Sequence, residues 1–237
     1  MQPTLSEPSG YVLEPLREGP DFTLYRGRQH GNPSPLLLVA LAPDRPSPQG
    51  LRRLEREYSL AAELDAGWAA VPLALTRYQG RTILVLKDPG GEFLDWILER
   101  DQVGGRPPLD LTRVLGIAIG LATALCQVHR RGLIHKDIKP ENVLVDDAGN
   151  VWLTGFGIAS QLPQESQAPA PPEIIAGTLA YMAPEQTGRM NRSIGARSDL
   201  YSLGVTLYQM LTGTLPFEAA DPFVSAALYD GLRGPYA

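Results

Sequence analysis

His135-Lys136-Asp137-Ile138-Lys139-Pro140-Glu141-Asn142-Val143-Leu144-Val145-Asp146 is the stretch that decides the reading of this chain. It sets a polar cluster between an apolar run of helical spacing and an apolar run of strand length. Asp137, Lys139 two residues on and Asn142 three further on carry complementary chemistry. A carboxylate can accept the proton of an attacking hydroxyl. A lysine can neutralise a phosphate, and an Asn oxygen can hold a hard cation such as Mg²⁺. Together they are the short form of a phosphoryl-transfer site. An isolated Asp-x-Lys is better read as a solvated loop; the whole octet His135–Asn142, with further motifs at suitable distances, is not.

Working outward, Leu111 to Arg131 reads as a long helix with Leu115, Ile119, Ala122 and Val128 among its apolar positions and Asp110 or Thr112 as cap. Val143–Val145 and Val151–Leu153 read as strands joined by the turn Asp147–Asn150. Upstream, Tyr11–Leu16 and Phe22–Arg28 are strands around a turn at Glu18–Asp21, and Leu36–Leu41 is a buried strand. Pro43–Gly50 reads as a loop, Leu51–Leu64 as an amphipathic helix, Val71–Thr76 and Thr82–Lys87 as two more strands, and Asp88–Gly91 as a breaker. Glu92–Arg100 reads as a short helix and Gly104–Pro108 as a loop. Pro163–Pro172 reads as a mobile loop, Asp199–Leu211 as a helix started by an acidic cap, and Asp221–Leu232 as a shorter helix.

The 237 residues carry 43% hydrophobic and 20% charged residues, an ordinary globular balance. A net charge of −5 offers no basic field for nucleic acid. Cys126, the single cysteine, excludes an intrachain disulfide and reads as a core residue, with the cytoplasm as the natural compartment. Met1–Gly10 reads as a loose tail rather than a secretory signal, and no apolar run reads as a bilayer span, so no membrane insertion is expected.

The octet resembles the catalytic loop of serine/threonine protein kinases, H-R-D-x-x-x-x-N, with Lys136 at the Arg position. Gly177-Thr178-Leu179-Ala180-Tyr181-Met182-Ala183-Pro184-Glu185 is similar to that family's segment ending in A-P-E. The resemblance runs from about Tyr11 to about Leu232. It looks closest to the kinase-like domain that begins large bacterial multi-domain sensor histidine kinases. It implies an α+β, two-lobed, protein-kinase-like fold: a small antiparallel sheet lobe with one helix over 11–88, and a helical lobe over 89–237. The second lobe is expected to be incomplete at its C-terminus.

By resemblance, Asp137 is the base, Lys139 steadies the transferred phosphoryl, Thr178 bonds both, and Asn142 holds Mg²⁺. Leu16, Gly19, Leu24, Ala40, Asp88 and Leu144 fall where the family contacts ATP, and Asp199 is expected to brace the catalytic loop through backbone N–H groups. Three departures weaken the nucleotide end. Of the glycine-rich loop only Gly19 survives, followed by Pro20, which has no N–H. The strand lysine is replaced by Ala42, so Glu57, at the partner glutamate's position, has no lysine to pair with. The metal aspartate is replaced by Gly155 in Gly155-Phe156-Gly157. Lys136 keeps charge without the bidentate fork of Arg, which disfavours control by phosphate on Ser160, Ser166 or Thr178. The expectation is ATP-dependent transfer to protein Ser/Thr that is weak or absent, or a pseudokinase that binds and signals through attached sensor domains. ATP and Mg²⁺ are the cofactors that the resemblance implies, and the three departures weaken the sites for both. Glu185 is expected to lack its usual Arg partner. The long helix and the Asp199 helix are expected to leave apolar faces for a partner.

Overall fold

Alternating apolar residues build the first sheet. The computed structural model describes residues 11–29, 32–42, 47–78, 80–101, 109–161, 178–187 and 193–217. The tail at 1–10, the first half of the loop at 43–50, the loops at 104–108 and 163–172, Ser166 within the latter, Gly177 and the helix at 221–232 lie outside them. Strands β1 (Tyr11–Glu18), β2 (Phe22–Gln29), β3 (Asn32–Leu41), β4 (Pro72–Tyr78) and β5 (Arg81–Lys87) form one antiparallel sheet of order β1-β2-β3-β5-β4. The period of two splits β3 between two faces. Leu36, Leu38 and Ala40 cluster with Ile83 and Val85 on one face. Leu37 and Val39, opposite Leu86 and Leu84, lie on the other with Leu41.

That second face receives helix α1 (Pro48–Ser59). The helix begins at Pro48, not at Leu51 as the sequence reading has it. Pro48 occupies a first-turn position where a missing N–H costs nothing, and Ser47 Oγ accepts from Gly50 N at 2.9 Å. It also ends earlier, continuing as turns from Leu60 to Glu63.

The rest is mainly helical: α2 (Leu94–Asp101), α3 (Leu111–Arg130) and α4 (Ala196–Thr212), with short strands β6 (Glu92–Phe93), β7 (Leu133–Ile134), β8 (Val143–Val145), β9 (Val151–Leu153) and β10 (Ser160–Gln161). Glu92 and Phe93, read as helix, pair instead with Val145 and Leu144. β7 and β10 pair with each other, which the sequence did not announce. Contacts divide the chain into two units, one running to Gly91 and including Trp152–Gly157, the other made of Glu92–Val151 and the chain from Ile158. This is the α+β, two-lobed architecture that the resemblance implies, a small antiparallel sheet with a helix and a larger helical lobe.

Asp110, one of the two residues read as caps, starts α3, its Oδ1 accepting from Arg113 N at 2.9 Å. The helix buries Val114, Ile117, Leu121, Ala124, Leu125 and Val128. Leu115, Ile119 and Ala122, named among its apolar positions, are exposed, and so is Cys126, which the sequence places in the core. The helix is apolar nearly all round, so the pattern marks the helix without choosing its inner face. By length and mean hydropathy, 1.7, it is also long and apolar enough to cross a membrane, which the sequence reading had denied. The uncovered apolar faces are present as expected: Leu111, Leu115 and Ile119 on α3, Leu200, Tyr208 and Leu211 on α4.

Two glycines of α3 give a paired test. A Cβ on Gly120 would stand 2.6 Å from Val151 Cγ2 and 3.0 Å from its Cβ, whereas one on Gly116 would meet nothing within 4 Å. Gly116→Ala is expected to stabilise by roughly 0.5–1 kcal/mol through helix propensity. Gly120→Ala gains the same propensity but overpacks the contact at a cost of about 1–3 kcal/mol, so the net effect is destabilising. Urea midpoints moving in opposite directions are the expected result.

Candidate active site

The loop after α3 is held by one buried carboxylate. Asp199, in the first turn of α4, has no exposed surface. Its Oδ2 accepts from His135 N at 2.9 Å and lies 2.8 Å from His129 Nε2; its Oδ1 accepts from Lys136 N at 2.7 Å. The predicted bracing through backbone N–H groups is present. The predicted acidic cap is not, because Gly195 precedes the helix and Asp199 lies inside it. Lys136 has φ of +70°, a left-handed conformation that L residues avoid. Contacts on both its peptide groups hold it there: Asp199 takes its N–H, and Gln186 Nε2 donates to its carbonyl at 2.9 Å. The chain then reverses and presents Asp137.

The octet's polar residues converge. Asn142 Nδ2 donates to Asp137 Oδ2 at 2.9 Å and to the Asp137 carbonyl at 2.8 Å. Lys139 Nζ lies 3.4 Å from Asp137 Oδ2 and donates a short hydrogen bond to Thr178 Oγ1. Thr178 N donates to Asp137 Oδ1 at 3.3 Å. Asp137, Lys139, Asn142 and Thr178 therefore meet in one half-buried cluster inside the second unit. Thr178 is carried by a segment tied to α4: Tyr181 OH donates to Gln209 Oε1 at 2.6 Å, and Ser202 Oγ donates to the Tyr181 carbonyl at 2.7 Å. Glu185 takes a 2.7 Å hydrogen bond from Ser198 Oγ, a partner that sequence reasoning did not supply.

The expected nucleotide contacts are distributed differently. Leu16, Gly19, Leu24, Ala40 and Asp88 lie in the first unit, and Leu144 lies in the second, fully buried. Gly19 N donates to Phe22 O at 2.8 Å, closing the hairpin, so its N–H is already engaged. Asp88 N donates to Pro35 O at 3.3 Å, extending the β3–β5 ladder. Its buried side chain pairs with Arg26, Nε to Oδ2 at 2.6 Å, and accepts from Gly90 N at 2.9 Å. Arg26 Nη2 also donates to the Gly91 carbonyl at 3.0 Å. This clamp, between residues 62 positions apart, was missed from sequence. Leu16 is the unpaired residue of a bulge between Pro15 and Arg17. Ala40 is part of the sheet cluster.

Mg²⁺ asks for hard, preferably anionic oxygens. In the second unit Asn142 offers one neutral oxygen, and both Asp137 oxygens already accept hydrogen bonds. Asp146 accepts from Asn150 N and Nδ2, each at 2.8 Å, closing the β8–β9 turn; the Asn150 side chain holds its carboxyl below the ordinary value. In the first unit Gly155 has no carboxylate. Among the described residues no group of three His, Cys, Asp or Glu could hold a metal ion. The residues of neither unit, taken by itself, fit Mg²⁺. Glu57, on α1, is buried, and its Oε1 has no hydrogen-bond partner. Burial pushes its carboxyl up to about 7, opposed only by the backbone N–H groups of Phe156 and Gly155.

The protein kinase domain family matches residues 79–228. The chain is similar to the serine/threonine-protein kinase PknL of Mycobacterium bovis, 33% identical over 213 residues, covering 88% of this chain and 51% of that protein. It is also similar to PknL of Mycobacterium tuberculosis, 40% identical over 128 residues, 54% of this chain and 30% of that protein. A third relative is PknB of Mycobacterium tuberculosis, 34% identical over 131 residues, 55% of this chain and 21% of that protein. The chain spans about a fifth to a half of the length of the curated relatives it matches.

Proposed function

The chain belongs to the protein kinase family, and from that premise we propose that it is a serine/threonine-kinase-like module whose phosphoryl transfer is weak or absent and which acts by binding and relaying a signal. The observation that carries this reading is the first unit's electrostatics. The family's cation position is Ala42, its metal position is Gly155, and among the described residues Glu57 is buried with one carboxyl oxygen unpartnered. Losing one preorganised charge-stabilising group costs about 10²–10³ in rate. The two losses act on one transition state and are not summed. The occupied N–H groups of Gly19 and Asp88 support the same reading.

The converging cluster favours a second reading, slow transfer to protein Ser/Thr. In it Asp137 Oδ2 takes the hydroxyl proton, Lys139 faces the transferred phosphoryl, and Thr178 holds both. The resemblance in sequence to the leading domain of multi-domain sensor histidine kinases makes attached cytoplasmic sensor domains the proposed recipients of the signal.

A thermal melt with millimolar ATP, with and without Mg²⁺, separates the two. The module reading expects no Mg²⁺-dependent rise in Tm, and no phosphate transfer to a Ser/Thr peptide that Asp137→Asn abolishes. A rise that needs Mg²⁺, with transfer lost in Asp137→Asn, establishes the enzyme instead. Ala42→Lys with Gly155→Asp is expected to bring a Mg²⁺-dependent shift into being. Gly155 has φ of +78°, so the new Asp must accept a left-handed backbone, which Asp tolerates better than most residues.

A further inference from the structure

Glu57 is an acid buried at a tight seat. α1 lies against Gly155-Phe156-Gly157 without slack: a Cβ on Gly157 would stand 3.1 Å from Arg53 Cβ and 3.2 Å from Arg53 O, one helical turn before Glu57. The segment is fixed from its other end by Leu153 N donating to Trp68 O at 2.9 Å and Ala70 N donating to Leu153 O at 3.0 Å. Phe156, fully buried, meets Trp68 edge-on at 6.4 Å. Into this packing α1 brings Glu57, a residue 5% exposed, one of whose carboxyl oxygens has no hydrogen-bond partner.

The surrounding charges do not answer it. On α1 itself Arg53 lies 3.8 Å from Asp21, and Arg52, Glu55 and Arg56 are the other charged groups. Gly155, Phe156 and Gly157 carry no charge, and neither does β3. β4 carries Arg77 and Tyr78, and β5 carries Arg81 and Lys87, of which Arg77 and Lys87 are exposed. None of these groups is among the influences on the carboxyl, which are burial and the N–H groups of Phe156 and Gly155. An ionised carboxylate without a cation is among the costliest groups to bury.

We propose that the seating of α1 on Gly155-Phe156-Gly157 is linked to a proton on Glu57: the helix is seated with the carboxyl protonated and lifts when the proton leaves to solvent. The module thus carries a pH-sensitive device in its first unit, independent of whether it binds nucleotide. The raised carboxyl sets the window. It titrates at about 7 in the seated state and near its ordinary 4.5 once wetted. The lifted population therefore grows roughly tenfold per pH unit from about 5 to 7, and levels off above.

Amide hydrogen exchange of the 237-residue chain tests this, corrected for the intrinsic pH dependence and followed from pH 5 to 8. Protection of peptides covering 48–60 and 152–158 is expected to fall roughly tenfold per pH unit up to about 7, below that of β3 and β5, and to be pH-independent in Glu57→Gln. The ¹³C carboxyl resonance of Glu57 in the unmutated chain is expected to titrate near 7, which keeps the test alive if the variant does not fold. Protection that is flat in the natural chain overturns the proposal, as does an equal slope in Glu57→Gln, α1 exchanging in step with β3 and β5 at every pH, or a carboxyl midpoint near 4.5.

Discussion

Asp199→Ala is expected to lower the unfolding free energy by about 3–5 kcal/mol, the range for removing one partner of a buried charged network. The carboxylate is fully buried and gathers two backbone N–H groups and an imidazole nitrogen. Truncation removes the carboxylate that His135 N and Lys136 N donate to, the first of them in a buried place. It also removes a contact that holds Lys136 in its left-handed conformation. A strained residue persists only while its surroundings over-determine it. The loop is therefore expected to relax, drawing Asp137 away from Asn142 and Thr178. Asp199→Asn keeps one oxygen but turns an NH₂ toward N–H donors, so its loss is intermediate. Urea unfolding gives the magnitudes, and faster amide exchange at 135–137 reports the relaxed loop. An Asp199→Ala loss under 1 kcal/mol would mean that the loop is held by something else.

That network shows what the sequence could and could not disclose. The octet and the apolar strands were legible because their information is local: spacing in the first, a period of two in the second. Asp199 was legible as a brace only through resemblance, and its local reading as a helix cap failed, since its partners lie 63 and 64 positions away. The start of α1 was readable in principle from Ser47 and Pro48, but the surrounding prolines weighed toward loop. The inner face of α3 was not readable, because Leu115 and Ile119 are as apolar as the buried Ile117 and Leu121. β7 and β10, two residues each, are too short for any period. The Arg26–Asp88 clamp joins a strand to a turn with no local mark of either. Of the site, the cluster of Asp137, Lys139, Asn142 and Thr178 was foreseen, whereas the engagement of the Gly19 and Asp88 N–H groups depends on pairing register.

Glu57→Gln is expected to abolish a stability loss that the natural chain suffers between pH 5 and 8. The carboxyl's ordinary value is 4.5 and its folded value about 7, so in that window the folded chain binds more protons than the unfolded one. Stability then falls as pH rises, the reverse of an acid held by a cation, and levels off above about 7. With about 1.36 kcal/mol per pKa unit, the change in the natural chain from this one group is about 2–3 kcal/mol over those pH units. Gln keeps the shape and has no proton to lose, so its unfolding free energy should lack this slope, although its NH₂ replaces the orphaned oxygen and carries its own burial cost. The size of the slope also measures the seat of α1. If lifting the helix costs less than burying the ionised carboxylate, the native state escapes by lifting, and the global loss stops at the cost of that lift. A natural-chain loss near 1 kcal/mol with strongly pH-dependent exchange in α1 would therefore mean a cheap hinge. The full 2–3 kcal/mol with α1 protected at pH 8 would mean a rigid seat and would count against the proton-linked device. No difference between chain and variant would show that water or a cation reaches Glu57 after all, and this module's impairment would then rest on Ala42 and Gly155 alone.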